Sequence, residues 1–319
     1  MSNDNSTKQY LLSLSGGGFR GFFQASVLSL LEDELDGPLA NYFSLIAGTS
    51  IGGINALALA AEIHTKDMVN FYIKWGPKIF PRFGMNPLRW AGLIQNKFSD
   101  RCLRNALTEL FGDKKIADLK HNVLIPSVNY STGKPQVFKT PHNKNLVMDG
   151  KLKLVDVALA TSAAPTYFPI HKMDGLSGCY MVDGGLVANH PGYYACIEAE
   201  KYLGSSKDSY NLLHIGTMSS GVTDACRWKN SGFLSKWKGK LFDLAISAQE
   251  AATENVIRFQ LGDDRYFKID VEPPKEQIKY IALDKASKKS QEILAQQAQS
   301  AFQKERTNLL KFMGLGDDE

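Results

Sequence analysis

Cysteine is scarce in this chain: Cys102, Cys179, Cys196 and Cys226 lie far apart and form no CxxC pair. That spacing excludes a zinc ribbon and a disulfide-stapled mini-domain, and it predicts reduced thiols in a cytosol. No block of five or more like charges interrupts the 319 residues, and the formal net charge is only +4. A basic stripe for duplex DNA or RNA is therefore excluded, while weak attraction to anionic lipid is retained. The first nine residues are polar, with no apolar core, and read as no secretory leader. One long stretch, residues 37–61, carries no charge, but Gly48, Thr49, Ser50, Gly52, Gly53 and Asn55 sit in its middle. Such residues suit a buried strand, turn and helix rather than a membrane span. No EF-hand loop or metal-ligand cluster is visible, so neither metal nor cofactor is expected.

What is present is enough apolar matter for a large core. Hydrophobic residues make up 44% of the chain, and a folded chain of this size buries about three quarters of its unfolded surface. A disordered tail and a fibrous repeat are excluded. No internal repeat, low-complexity linker or composition break appears, so one domain over 1–319 is expected.

Apolar runs predict strands at 10–14, 42–47, 123–129, 136–139, 180–182, 212–215 and 266–271. Helical spacing follows the glycine run at 16–18, through Phe22, Phe23, Ala25, Val27, Leu28, Leu30 and Leu31. Further helices are expected at 51–61, 153–161, 192–202, 241–260 and 285–312. The last has one apolar stripe, Ile293, Leu294, Ala298, Ala301 and Phe302. Alternating strands and helices predict an α/β fold with a mainly parallel sheet covered on both faces. Residues 75–98, with Pro77, Pro81 and Pro87 among many aromatics, read as a loop-rich insertion.

Three motifs carry chemistry. Gly-Gly-Gly-Phe-Arg-Gly at 16–21 lies between a strand and a helix. It matches GxGxxG, and Asp36 lies twenty residues beyond Gly16, so a dinucleotide-binding module is one reading. A ribose-binding acid, however, belongs at the end of the second strand, where this chain has Gly48-Thr49-Ser50. The same amides at a helix N-terminus would equally stabilise the oxyanion of acyl transfer beside a nucleophile.

Gly48-Thr49-Ser50-Ile51-Gly52 matches GxSxG between a strand and an Ala-rich helix, the place of a nucleophile elbow. Small residues there let the turn close sharply, and the bland alternative is a capping serine. A serine needs a base. Of the six histidines, His190 and His214 stand in the best contexts for a triad, yet a structural role fits each better. Asp183-Gly184-Gly185 offers another base: Asp183 ends the apolar run 180–182, and the two glycines let other backbone approach. A solvated turn aspartate is the plain alternative.

Taken in order, these motifs, with Ala160-Thr161-Ser162-Ala163-Ala164-Pro165 before the last, resemble the patatin-like phospholipase family over about residues 10–215. The resemblance implies a three-layer α/β/α fold and a Ser–Asp dyad, with Ser50 as nucleophile and Asp183 as base. It implies that Gly16, Gly17 and Gly18 supply oxyanion amides, that Arg20 fixes their loop, and that 160–165 shapes the site. Residues 216–319 would complete the fold and carry lid or membrane-contact elements.

The expected activity is hydrolysis of ester-linked fatty acids from membrane phospholipid through an acyl-enzyme, by a cytoplasmic protein peripheral at the inner membrane. Two segments suit that surface. Residues 75–94 are aromatic and proline-broken, fit for a lid or acyl wall. Residues 227–241 interleave Trp228, Phe233, Leu234 and Trp237 with Arg227, Lys229, Lys236, Lys238 and Lys240, a pairing that suits a headgroup boundary. Some bacterial members of this family are anti-phage effectors switched on by a cyclic oligonucleotide, and the chain length fits that group. No motif marks such a nucleotide or a homo-oligomer. A soluble esterase or thioesterase of the same fold is the alternative activity.

Overall fold

The computed structural model describes residues 8–81, 96–176, 178–219 and 240–316. In chain order its elements are β1 (Gln9–Leu14), α1 (Gly21–Glu32), β2 (Leu45–Gly48), α2 (Ile51–Ala60), α3 (Thr65–Ile79), α4 (Asp100–Phe111) and β3 (Val123–Asn129). There follow β4 (Lys134–Lys139), α5 (Leu154–Thr161), β5 (His171–Lys172), β6 (Tyr180–Asp183), α6 (Gly185–Ala188), α7 (Gly192–Tyr202) and β7 (Tyr210–Ile215). The chain ends with α8 (Lys240–Leu261), β8 (Tyr266–Ile269), α9 (Lys275–Ile278) and α10 (Lys288–Phe312).

The strands form one sheet in the order β5-β6-β3-β2-β1-β7-β8, with β4 also paired to β3. From β8 through β7, β1 and β2 to β3 every pairing is parallel, whereas β4, β5 and β6 are antiparallel additions. Central strands are apolar without alternation because helices cover both of their faces. Leu12, Leu14, Ile46 and Ile215 face one core, with α1 to α5 and α10. Leu11, Leu45, Ala47 and Leu212 face a second, with Ala195, Cys196 and Ala199 of α7 and Ile257 and Leu261 of α8. Successive side chains of a strand point to opposite faces, so one six-residue strand feeds both cores. The result is the three-layer α/β/α architecture with a mainly parallel sheet that the motifs imply.

One edge of β3 positions the site. β4 pairs along its length from Leu124 to Asn129, leaving a single other edge. That edge pairs with β2 at Val123 and Leu124 and with β6 at Ser127 to Asn129. The C-terminal ends of β2 and β6 are thereby brought together beside the middle of β3.

Two expectations need correction. Residues 75–79 are the end of α3 rather than loop, with Pro77 inside the helix. Pro77 forgoes its own amide bond, but the helix stops two residues later, where Phe80 closes on the Gly76 carbonyl at 2.9 Å. The strand expected from residue 42 starts at Leu45, because Leu39–Tyr42 forms a 3-10 turn after Pro38. The expected stripe of α10 is buried, Ile293, Leu294, Ala298, Ala301 and Phe302 together with Leu309. Among the described residues no helix is long and apolar enough to cross a membrane. The segments 82–95 and 220–239, and with them Cys226 and most of both segments read as interfacial, lie outside the described residues.

Candidate active site

Ser50 occupies the turn between β2 and α2 with φ +55° and ψ −124°. A side chain at positive φ is strained, and such strain persists only where the surroundings impose it. Here they do. The turn is pressed so closely on the neighbouring strand that a Cβ at Gly52 would lie 2.3 Å from the Leu14 carbonyl oxygen. The Ser50 amide donates to Thr161 Oγ1 at 2.9 Å, whose own hydroxyl donates to the Pro126 carbonyl at 2.6 Å. Thr49 Oγ1 donates to the Ala188 carbonyl at 2.5 Å. Every residue of β2 and α2 is buried.

Ser50 Oγ donates to Asp183 Oδ2 at 2.7 Å. The second carboxylate oxygen accepts the Gly185 amide, also at 2.7 Å. Asp183 is 2% exposed. Burial pushes its carboxyl from 3.8 up to about 6, while the Ser50 hydroxyl and the Gly185 amide pull the other way. The aspartate is thus ionised near neutral pH yet basic enough to take a proton. Its backbone is fixed by the segment before it, since the amides of Asp183 and Gly184 donate to the carbonyls of Ala163 and Thr161 at 3.0 and 3.1 Å.

The glycine loop passes directly beside the serine: a Cβ on Gly16 would lie 3.1 Å from the Ser50 Cβ. The Gly16 amide donates to the Asn189 carbonyl at 3.2 Å, and the Phe19 amide to the Leu283 carbonyl at 2.7 Å. Among the described residues the Gly17 and Gly18 amides have no protein acceptor. Gly18 has φ +56°, and a Cβ there would lie 2.3 Å from the Leu283 oxygen, so only glycine fits. Arg20 Nε donates to the Gly17 carbonyl at 3.3 Å and Nη1 to the Met218 carbonyl at 3.4 Å. Its guanidinium ties the loop to the end of β7.

A cavity of about 280 Å³ opens at these groups. Ser50, Asp183 and the glycine loop line it together with the apolar side chains of Ile54, Phe71, Ile79, Phe80, Leu103 and Phe168. Gly48 ends β2, and Gly184 and Gly185 carry the chain from β6 into α6. Trp75 packs towards α4, with its indole Nε1 donating to Glu109 at 3.3 Å.

His190 and His214 take no part. Their rings stack with centroids 3.6 Å apart, buried beneath β1 among Ser13, Ser15 and Tyr266. Burial lowers His190 to about 3 and His214 well below the ordinary imidazole value, which keeps both neutral. No motif marks Asn189 or Leu283, which hold the loop: their contacts run from side chain or carbonyl to backbone, and such bonds leave no spacing pattern. Thr161 belongs to the 160–165 motif, but its bond to the Ser50 amide spans 111 residues and has no local signature.

Comparison with known proteins places these motifs in context. The profile of the family described as "Patatin-like phospholipase" matches residues 12–195. A Pseudomonas aeruginosa protein named "cGAMP-activated phospholipase" is 44% identical over 281 residues, covering 87% of this chain and 83% of its own length. Proteins of the same name from Escherichia coli and Vibrio cholerae are 37% and 35% identical, covering 88% and 93% of this chain and 85% and 91% of their own.

Proposed function

The chain belongs to the patatin-like phospholipase family, and on that premise we propose that it hydrolyses the fatty-acyl esters of membrane phospholipid through a Ser50–Asp183 dyad. The observation that carries this reading is the Ser50 hydroxyl, on a residue held at positive φ, donating to the buried Asp183 carboxylate at 2.7 Å in the lining of a largely apolar cavity. Ser50 Oγ attacks the ester carbonyl while its proton passes to Asp183. The oxyanion is received by the amides of Gly17 and Gly18, which have no protein acceptor among the described residues; the Gly16 amide, expected as a third donor, is instead engaged by the Asn189 carbonyl. Collapse breaks the ester C–O bond, and the proton on Asp183 leaves with the alcohol. Water then attacks the acyl-enzyme, giving its proton to Asp183; collapse of this second intermediate breaks the bond between the acyl carbon and Ser50 Oγ, Asp183 returns the proton to Ser50 Oγ, and the fatty acid leaves. Each oxyanion donor contributes about 3 kcal/mol, or 10²–10³ in rate.

Asp36 weighs against a dinucleotide module. It is exposed in the turn between α1 and β2, at the N-terminal end of the strands, whereas the glycine loop is at their C-terminal ends. The names of the bacterial relatives support activation by cyclic GMP–AMP in this chain also, as in an antiviral signalling effector that works at the inner membrane face. The test is fatty-acid release from mixed phosphatidylethanolamine–phosphatidylglycerol vesicles, with and without cyclic GMP–AMP. Release that rises with the nucleotide and vanishes in Ser50→Ala is expected. Release retained in Ser50→Ala rejects the nucleophile. Equal rates on short soluble esters and vesicles reject the membrane substrate in favour of a soluble esterase.

A further inference from the structure

Helix α8 reaches the glycine loop through one intermediary. Gln249 Oε1 accepts the backbone amide of Asn189 at 2.8 Å, and Glu250 Oε1 accepts Asn189 Nδ2 at 2.8 Å. The same Nδ2 donates to the Gly16 carbonyl at 3.3 Å, while the Asn189 carbonyl accepts the Gly16 amide at 3.2 Å. Asn189, 3% exposed, therefore grips both polar groups of Gly16, and α8 engages both donors of Asn189. A second donor, Thr217 Oγ1, meets the Gly16 carbonyl at 2.9 Å. Ser219 Oγ donates to Glu250 Oε2 at 3.4 Å, which turns the carboxylate towards Asn189.

The peptide plane makes this grip matter to chemistry. The Gly16 carbonyl and the Gly17 N–H belong to one planar trans peptide and point in opposite directions. Fixing the carbonyl towards Asn189 and Thr217 fixes where the Gly17 N–H points. Loss of the grip frees that peptide to rotate, because glycine on both sides resists little. A hydrogen-bond donor stabilises an oxyanion only when preorganised towards it.

We propose that Gln249 and Glu250 are positioning residues for ester cleavage, acting through Asn189 to aim the Gly17 N–H at the oxyanion. This rests on the dyad and glycine-loop reading given under Proposed function. Neither side chain meets Ser50 or Asp183, so disturbing them slows turnover while the dyad's own bond stays intact.

The test uses the full chain with saturating cyclic GMP–AMP, a p-nitrophenyl ester and two inhibitors. An alkyl trifluoromethyl ketone forms a hemiketal oxyanion on the serine; the matching alkyl alcohol cannot. In Glu250→Ala, kcat and trifluoromethyl-ketone affinity should fall 10- to 100-fold, with KM and alcohol affinity within twofold of wild type. Glu250→Gln keeps an oxygen for Asn189 and should recover to within threefold of wild type. Gln249→Ala should show the same pattern at three- to tenfold, and it decides the matter if melting shows Glu250→Ala to be unfolded. Unchanged kcat, a KM or alcohol shift as large as the kcat loss, or no recovery in Glu250→Gln overturns the inference. A fluorophosphonate label separates the two levels. Labelling of wild type but not of Ser50→Ala upholds the dyad whatever α8 does, and an unlabelled wild type overturns the dyad and this inference together.

Discussion

The serine elbow and the glycine loop lie side by side in the site and are held differently. The elbow is built into β2 and α2, every residue of them buried, and its polar bonds reach Thr161, Asp183 and Ala188, 111 to 139 residues away. The loop hangs on partners further still. Asn189 and Thr217 meet Gly16 across separations of 173 and 201 residues, and Leu283 meets Phe19 from still further on. Contacts of that span carry a larger chain-closure cost than local ones. The proposed nucleophile therefore sits between two fully buried elements, whereas the proposed oxyanion donors depend on residues from Asn189 onward. Changes at the elbow should abolish chemistry outright, and changes at the loop's supports should tune it.

The largest effect tests the elbow. Ser50→Ala and Asp183→Asn should each lower kcat by about 10³-fold or more, since dyad members act as a unit. Asp183→Asn should separate activity from stability. Because folding raises the Asp183 pKa, the stability this group contributes is fully present below 3.8 and lost as pH rises through about 6. At pH 8 the buried charge costs the folded state as much as ~3 kcal/mol by that linkage. The neutral amide can accept from Gly185 and donate to Ser50. The inactive variant should thus melt no lower than wild type at pH 8, and a clear drop in melting temperature contradicts the assigned burial.

Next comes the loop. Gly18→Ala forces a methyl against the Leu283 carbonyl at positive φ, so the amides at 17 and 18 must shift. Turnover should fall about 10²–10³-fold, the value of one oxyanion donor. Fluorophosphonate labelling of Ser50 should slow in parallel, because that reaction uses the same amides. A wild-type rate in Gly18→Ala would place the oxyanion elsewhere.

The same contrast separates what could be read from sequence from what could not. Ser50, the glycine run and Asp183 were legible because close backbone approach writes itself into glycines at fixed offsets: Gly52 must clear the Leu14 carbonyl and Gly18 the Leu283 carbonyl. The stripe of α10 was legible because one face of a long helix is buried. Helices α3 and α4 were not singled out, although Met68, Phe71, Tyr72 and Ile79 of the one and Leu103, Ala106, Leu107 and Phe111 of the other are buried, and Gly76 and Pro77 made the end of α3 read as loop. The meeting of Ser50 with Asp183 depends on β2 and β6 sharing one edge of β3. Sheet order is a global outcome that no local pattern encodes. Asn189, Gln249 and Leu283 meet backbone groups and Glu250 meets the Asn189 side chain; such contacts leave no fixed spacing, and composition is silent about them.

A smaller effect concerns pH. With Asp183 near 6, kcat for a soluble ester should rise with pH through that value and level off above it. One pH unit below the transition only about a tenth of the carboxyl is ionised, so the rate there should be about tenfold under the plateau. Neither His190 nor His214 supplies this transition, since burial holds both neutral well below it. A profile flat from pH 5 to 8 would remove Asp183 as the base.

The smallest effect probes the outermost support of the loop. Lys97 pairs with Asp284, next to the Leu283 carbonyl that accepts the Phe19 amide. The Lys97 amide bonds the Thr166 carbonyl at 2.9 Å, so the pair ties residues 281–284 to the segment 164–168 that lines the cavity. Both side chains are partly shielded, which places the pair above a surface ion pair and below a buried one. Lys97→Ala should therefore cost about 1–2 kcal/mol in stability, and it should lower kcat only a few-fold. Because the ammonium acts through charge, raising salt should weaken the wild type towards the variant while leaving Lys97→Ala unchanged. If Lys97→Ala instead matched the loss in Gly18→Ala, the loop would depend on this one ion pair, and the division between a rigid elbow and a loop held at many points would fail.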